Sequence, residues 1–294
     1  MAIEIDPLDD GLRHYPHVQR SATSGLVSET MSARTYSLGM GPDEHERLRR
    51  QRELYGDTAG LTFAATDTVC EIGSGAGANL WIAQQLSRGR YIGVDAEPGQ
   101  NEAAASYARQ LGLSNVKLYT ASGDDTGLPA AAMDASFCRC VLIHQPDPRP
   151  LIQEMCRITR PGGRIIVIEP QNASYYCGPD KPHLMKCFRA RGRLAYGEGR
   201  GSPEVALDLY PLLHRRRLRH IRVRPHVITV YGQESERCMR FLQNWLQIIA
   251  SVSDTLLERG AVSGEDLELA RQEAGDIAAD TVVHQIMWVA QAVK

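Results

Sequence analysis

The stretch Val69-Cys70-Glu71-Ile72-Gly73-Ser74-Gly75-Ala76-Gly77-Ala78-Asn79-Leu80 restricts the fold of this chain more than any other. A short apolar run ends in a carboxylate and passes into a glycine-paved turn. Leu80, Ile82, Ala83 and Leu86 then recur at helical spacing, so a strand, a tight loop and a helix are predicted in that order. Glycine adopts backbone angles closed to other residues and lets a ligand approach the main chain closely. A nucleotide-like cofactor is the first reading, weighed against a bare strand-to-helix turn.

Spacing alone leaves two cofactors open. Gly73-x-Gly75-x-x-Ala78 also satisfies the dinucleotide pattern, in which a pyrophosphate sits on the helix N-terminus. Glu71 separates the two, because a carboxylate closing the strand repels phosphates and suits a ligand carrying positive charge. S-adenosylmethionine has an ammonium and a sulfonium and no phosphate.

Strand and helix alternate from there to residue 170. Tyr91-Ile92-Gly93-Val94-Asp95 reads as a second strand closed by a carboxylate, Asn101 to Leu111 as a helix ended by Gly112, and Val116 to Thr120 as a third strand. Ala135 to Leu142 is a fourth strand, Leu151 to Thr159 a helix, and Arg164 to Glu169 a fifth strand after a Pro-Gly-Gly turn. Such alternation predicts a mostly parallel sheet covered on both faces. Ahead of it, a helix from Gly41-Pro42-Asp43 is charged nearly all round and is expected to lie on a surface.

The pattern breaks after Pro170. Residues 171–217, rich in Tyr, Gly, Pro and Arg, are expected to form a cap over the strand ends. Leu218 to Tyr231 alternates as a strand, and Glu234 to Glu258 as one long amphipathic helix with Phe241, Trp245 and Ile249 on its apolar stripe. Ser263-Gly264-Glu265-Asp266 resembles a capping box opening another helix, and His284 to Val293 is a final strand. Residues 1–32, without periodicity, read as an arm, flexible or swapped onto a second subunit, and 33–294 as a single domain.

Five motifs now stand in order: Glu71 with its glycine turn, Val94-Asp95, Gly123-Asp124-Asp125-Thr126-Gly127-Leu128-Pro129, Cys138-Arg139-Cys140-Val141-Leu142-Ile143-His144-Gln145-Pro146-Asp147-Pro148, and Arg157 to Gly163 before strand five. In this the chain resembles the class I S-adenosylmethionine-dependent methyltransferases, in particular their small-molecule, natural-product branch. The resemblance covers about residues 34–170. It implies an α/β, doubly wound, Rossmann-like sheet of seven strands, mostly parallel with the last antiparallel, and S-adenosylmethionine as cofactor with S-adenosylhomocysteine as product.

The resemblance also implies site roles. Glu71, Gly73 and Gly75 would cradle the methionine portion, with Glu71 near its ammonium, and Asp95 would accept the ribose hydroxyls. Asp124 would accept from the adenine amino group with Asp125 beside the ring, and Ala96 and Gln100 would border it. Cys138 and Arg139 would sit beside the sulfonium, and Tyr36 and Gln51 would belong to a segment folding over the cofactor, although ordinary helix surface explains them equally. The chain departs from the family in the shortened loop after Pro129, and it lacks both the N/D-P-P-Y/F motif of base-amino methyltransferases and the paired glutamates of arginine methyltransferases. Those departures favour a small molecule.

His144 is the candidate general base by motif position and intrinsic pKa, with a structural histidine as the competing reading. Tyr175, Tyr176, Tyr196 and Tyr210 can line an aromatic acceptor pocket, where Tyr175 and Tyr196 are candidate catalytic rings able to stabilise a cation, or can fill the cap's own core. His214-Arg215-Arg216-Arg217-Leu218-Arg219-His220 reads as a solvated helix end, or as a site for an anionic substrate group.

Composition supplies exclusions. A net charge of −2 gives no reason to expect nucleic acid or an anionic membrane as partner. The absence of an apolar leader or spanning run makes the chain cytoplasmic by expectation. The 7 scattered cysteines fit reduced thiols and no metal site. A small-molecule partner and a possible homo-oligomer complete the expectations. The alternatives are an NAD(P)-dependent oxidoreductase, and a methyltransferase-fold protein that promotes a cyclisation or binds a partner.

Overall fold

Apolar runs closed by acidic or small residues become strands of one sheet in the computed structural model of the protein, which describes residues 42–55, 61–197 and 201–294. In chain order the elements are α1 (Pro42–Tyr55), β1 (Thr68–Ile72), α2 (Trp81–Gln85), β2 (Arg90–Asp95), α3 (Pro98–Gln110), β3 (Val116–Thr120), β4 (Met133–Arg139), α4 (Arg149–Ile158), β5 (Thr159–Pro170), β6 (Tyr176–Gly178), α5 (Pro182–Tyr196), α6 (Leu209–His214), β7 (Arg219–Tyr231), α7 (Ser235–Ala250), α8 (Ser253–Glu258), α9 (Gly264–Gly275) and β8 (Val282–Val293). Three 3-10 turns, at Leu142–His144, Asn172–Ser174 and Val205–Asp208, complete the set among the described residues.

Strands β3, β2, β1, β4 and β5 run parallel in that order, and β8 follows antiparallel to β5. Its other edge carries β7, also antiparallel. Past the end of β5, the three-residue β6 takes up the same edge of β8, pairing Tyr176 to Gly178 with His284 to Val282. Among the described residues the sheet therefore has 8 strands rather than the expected seven, the addition being this short continuation. Strand order turns back between β1 and β4, the switch point at which open α/β sheets leave a crevice beyond the strand ends.

Alternate strand residues face two layers, as the two-residue period of a strand requires. Val69, Tyr91, Ala135, Phe137, Ile166 and Ile168 join a core cluster with residues of α5, α7 and α9. Ile72, Ile165 and Val167 are equally buried and belong to the opposite face, where Leu151, Ile152 and Met155 of α4 are buried. Each such side chain, removed from water, contributes about 1.5–3 kcal/mol.

Three expectations are corrected by packing. The charged helix α1 is not a surface element along its whole length: Arg47, 3% exposed, grips Glu44 through Nε and Nη2, both at 2.6 Å, and donates from Nη1 to Asn244 of α7 at 2.9 Å, while Leu54 and Tyr55 are buried. The single helix expected over 234–258 breaks at Val252, whose φ of −131° leaves the helical region. Ser251 and Ser253 bond back to the carbonyls of Ile248 and Ala250 there. Residues 171–217 are more than a cover, since they supply β6 to the sheet and, in α5, a helix whose Leu184, Met185 and Phe188 enter the main core. The expected capping box is present, with Ser263 and Asp266 exchanging hydrogen bonds at the start of α9. The arm expected at 1–32 lies outside the described residues.

Candidate functional site

The crevice is built on the glycine turn. Gly73, Gly75 and Gly77 have φ of 72°, 50° and 84°, a region that side chains with Cβ rarely occupy. The amides of Gly73 and Ser74 donate to the carbonyl of Val94 at 2.7 and 3.1 Å, so the turn is stitched to β2. A Cβ on Gly73 would fall 2.4 Å from Val141 Cγ2, whereas one on Gly75 meets nothing nearer than Gln100 Oε1 at 4.0 Å. Open space therefore lies over Gly75. The helix beyond, α2, has 5 residues and starts one position later than expected. So short a helix offers little dipole to a pyrophosphate, which weakens the dinucleotide alternative.

Glu71 lies beneath the turn and is 1% exposed. Its Oε1 accepts from Asn79 Nδ2 at 2.6 Å and its Oε2 from the Tyr91 hydroxyl. Burial pushes its carboxyl up to about 7, against the lowering by those two donors. The carboxylate is thus committed to the loop, and reaches the crevice through Asn79, whose Oδ1 in turn faces Arg139 Nη1 at 3.3 Å. Asp95 closes β2 with Oδ2 on the Gly75 amide at 2.8 Å and Oδ1 on the Glu97 amide at 3.0 Å. Burial raises its pKa, and the amides of Glu97, Gly75 and Ala96 oppose that rise. Each carboxylate oxygen keeps a lone pair free of these amides. Gln100 is buried beside them with its Oε1 unpartnered, and Ala96 is exposed at the rim. Asp124, exposed, accepts from the Ser122 hydroxyl, and the Asp125 amide donates to the Ser122 carbonyl at 3.2 Å.

These residues fit an adenosyl-methionine ligand. A floor without Cβ, a carboxylate pair at the ends of β1 and β2, an orphaned amide oxygen at Gln100 and an orphaned, buried Arg139 Nε are what a ribose, an adenine and a zwitterionic methionine require.

The other half of the crevice lies past β4. Cys138 faces away from it: the thiol is fully buried and its pKa is raised well above normal by burial, so the side chain expected near the sulfonium is core and the strand end presents backbone. At Cys140 the chain turns, with φ of 55°, into the Leu142–His144 turn. Glu169, unremarked in the sequence, caps that turn by accepting from the amides of Val141, Leu142 and Ile143 at 2.9, 2.8 and 3.3 Å. Burial pushes its carboxyl up to about 7, with the three amides pulling the other way.

Around Cys140 stand three rings from distant segments. Tyr55, ending α1, stacks on Phe241 at 5.9 Å, carries the Arg139 guanidinium 5.6 Å above its ring, and accepts from Gln51 Nε2 at 3.0 Å. Tyr175 packs on Phe188 at 4.9 Å and Trp245 at 5.5 Å, and burial drives its phenol well above the usual range. Tyr196 lies 5.7 Å from the His144 ring. Burial, with Arg191 as second cause, lowers His144 to about 4, so the ring is neutral at pH 7 and a weak base. Tyr176 and Tyr210 are exposed, and Tyr210 stacks on His214, so neither joins this group. Tyr210 instead borders a groove of about 570 Å³ with Leu207, Ile221, Val223 and Trp288 on the α6 side of the sheet. Tyr36 lies outside the described residues.

Site roles for Glu169, Asn79, Tyr91, Arg191 and Gln285 do not follow from the sequence, whereas Tyr55 belongs to the segment with Arg47 and Gln51 that resembles the family's fold-over segment. Gln285 is fully buried beside the Tyr55 hydroxyl, and the one signal for it was a polar residue at an inward position of β8. Among the described residues no group of three His, Cys, Asp or Glu is arranged to hold a metal, all seven cysteines are free thiols, and no helix is long and apolar enough to cross a membrane.

Residues 64–193 match the family model described as a methyltransferase domain. The methyltransferase YcgJ of Bacillus subtilis (strain 168) is 30% identical over 130 residues, 44% of this chain and 49% of the relative. Aklanonic acid methyltransferase DauC of Streptomyces sp. (strain C5) is 32% identical over 106 residues, 35% of this chain and 48% of the relative. The chain thus spans about half the length of the curated relatives it matches. The crystal structure of YcgJ shares the fold, with a TM-score of 0.50 at 19% identity over 85% of this chain and 98% of the other.

Proposed function

We propose, from the premise that this chain belongs over residues 64–193 to the class I S-adenosylmethionine-dependent methyltransferases, that it transfers a methyl group to a small organic molecule of specialised metabolism. The observation that carries this reading is the joint placement of Glu71, Gly75 and Asp95: the open glycine floor is bonded to the Asp95 carboxylate on one side and rests on the Glu71–Asn79 pair on the other. The relative named for aklanonic acid supports a small organic acid as acceptor.

Bound S-adenosylmethionine supplies a methyl group already activated by its sulfonium, so the protein's work is alignment and exclusion of water. Asp95 takes the ribose hydroxyls through its remaining lone pairs. Gln100 and Ala96 border the adenine with Asp124 and the Asp125 amide, and Arg139 with Asn79 holds the methionine end. Glu71 acts one step back, by fixing Asn79 and Tyr91. Glu169 holds the Val141–Ile143 amides and thereby the floor on which the acceptor lies. Tyr55, Tyr175 and Tyr196 are the acceptor's walls. His144, neutral and half-buried, is an acceptor of hydrogen bonds from the substrate.

Thermal denaturation tests the cofactor half. S-adenosylhomocysteine at 100-fold its dissociation constant adds about 2.7 kcal/mol of stability. NADH adds none. The reverse result makes the chain an oxidoreductase, and absence of labelled methyl transfer to a panel of polyketide-like acids removes the transfer reading.

A further inference from the structure

The acceptor wall contains a cation that has no counter-ion among the described residues. Arg191 lies on the inward side of α5 and is 6% exposed. Its Nη1 donates to the Tyr196 hydroxyl at 3.3 Å, its guanidinium carbon lies 5.3 Å from the Tyr196 ring centre, and its Nε, fully buried, has no partner. Among the described residues no Asp or Glu forms an ion pair with it. Taking a guanidinium out of water is costly unless an anion and hydrogen-bond acceptors replace the water, and a lone phenol with one face of its ring does neither fully.

The groups around that charge are held in place by the fold. The His144 ring, 5.7 Å from Tyr196, stands on the turn that follows β4. The backbone closes behind the group where the Ser202 amide donates to the Ile143 carbonyl at 2.9 Å and the Ser202 hydroxyl to the Gln145 carbonyl at 2.8 Å. A side chain at Gly201 is excluded, because its Cβ would stand 2.9 Å from Tyr196 Cδ1 and 2.5 Å from the Ile143 carbonyl oxygen. Tyr196 also has Cys140 and Glu169 as electrostatic neighbours, which puts the group at the end of β4, beside the place where the methyl acceptor lies.

We propose that Arg191 is the receptor for an oxyanion on the methyl acceptor: the acceptor carries a carboxylate or a phosphate, which takes the unused donors of the guanidinium with the Tyr196 hydroxyl as a second donor. A planar guanidinium matches both groups through two parallel N–H bonds. The docked anion places the apolar remainder of the acceptor against Tyr175 and Tyr55, facing the crevice over Gly75. This inference rests on the methyltransferase reading, and names the chemical class of acceptor within it.

Calorimetric titration of the full chain saturated with S-adenosylhomocysteine tests it, with 2-naphthoate, 2-naphthyl phosphate and the neutral 2-naphthamide as probes. At least one anion is expected to bind about tenfold more tightly than the amide. Arg191→Gln abolishes that preference, Arg191→Lys keeps part of it, and the affinity for S-adenosylhomocysteine is the same in all three proteins. The stronger of the two anions identifies carboxylate or phosphate. Equal binding of anion and amide by the wild type, no binding of either anion at millimolar concentration, or a preference that survives Arg191→Gln, overturns the proposal. Should Arg191→Gln fail to fold, the wild-type preference and its reduction in Arg191→Lys decide, and a preference absent from the one or undiminished in the other overturns it. Failure of the wild type to bind S-adenosylhomocysteine removes the underlying reading instead.

Discussion

The two halves of the crevice are built on opposite principles. On the cofactor side, between β1 and β3, polar groups are paired locally: Asp95 with the amides of Gly75 and Glu97, Glu71 with Asn79 and Tyr91. On the acceptor side, rings from α1, α5 and the segment after β5 gather around Cys140, and polar atoms at Arg191, Asn244 and Trp245 are buried without partners among the described residues. A paired polar frame is already rigid, whereas an unpaired one is completed by what binds to it. The difference teaches that the donor's two carboxylates are fixed before binding, with Gln100 Oε1 and Arg139 Nε left for the cofactor to complete, while the acceptor's rings have no such frame.

Substitutions can break that contrast. Trp245→Ala, which empties the centre of the acceptor-side stack against Tyr175 and Phe188, is expected to cost about 3–5 kcal/mol of stability by denaturant unfolding. The folded fraction should still bind S-adenosylhomocysteine normally, and a parallel loss of affinity would show that the halves are one unit. Gly73→Ala forces Cβ into Val141 at a φ of 72° and is expected to cost about 3 kcal/mol, from overpacking and left-handed strain together. Gly75→Ala, strained but unobstructed, costs about 1 kcal/mol of stability, and its larger effect is on cofactor affinity. Equal melting points for the two variants would deny that Val141 braces the turn.

Asp95→Ala is expected to weaken S-adenosylhomocysteine by about 1–3 kcal/mol, and Glu71→Ala by a similar amount through Asn79. Unchanged affinity in both would remove the site assignment. The smallest effect is on pH dependence. Glu71 and Glu169 titrate near 7 in the fold against 4.5 unperturbed, so the folded state holds protons that the unfolded chain has released. Stability from these groups is present below about pH 4.5 and lost as pH rises through about 7. His144, lowered from 6.5 to about 4, acts with the opposite slope between those values. Glu71→Gln should flatten the decline in melting temperature between about pH 4.5 and 7, and an unaltered slope would assign the decline to Glu169.

Legibility in the sequence followed the same division. The donor half is local chemistry: a strand, a carboxylate and three glycines that the turn itself demands, so Glu71, Gly73, Gly75 and Asp95 stood out from spacing. The acceptor half is assembled from positions as far apart as Tyr55 and Gln285, which no short window joins. Helix α5 was hidden because Arg191 sits on its buried face where an apolar residue is expected and because Gly192 disfavours a helix interior. Glu44 and Arg47 were read as solvated since charges seldom leave water, and the partner that Arg47 finds at Asn244, 197 residues away on α7, is invisible in a local window. The break at Val252 was invisible because the apolar stripe continues through Leu256 while the backbone does not.

One feature of the sheet bears on how the molecule behaves in concentrated solution. Strand β7 is 13 residues long and has β8 on one edge, so the opposite row of backbone groups is a template for another chain's strand. Pro225, opposite Trp288, removes a donor from the middle of that strand, and exposed Arg222 precedes it with a charge that a second copy would meet with its own. Strand-by-strand growth into fibrils is thereby discouraged along the longest strand among the described residues.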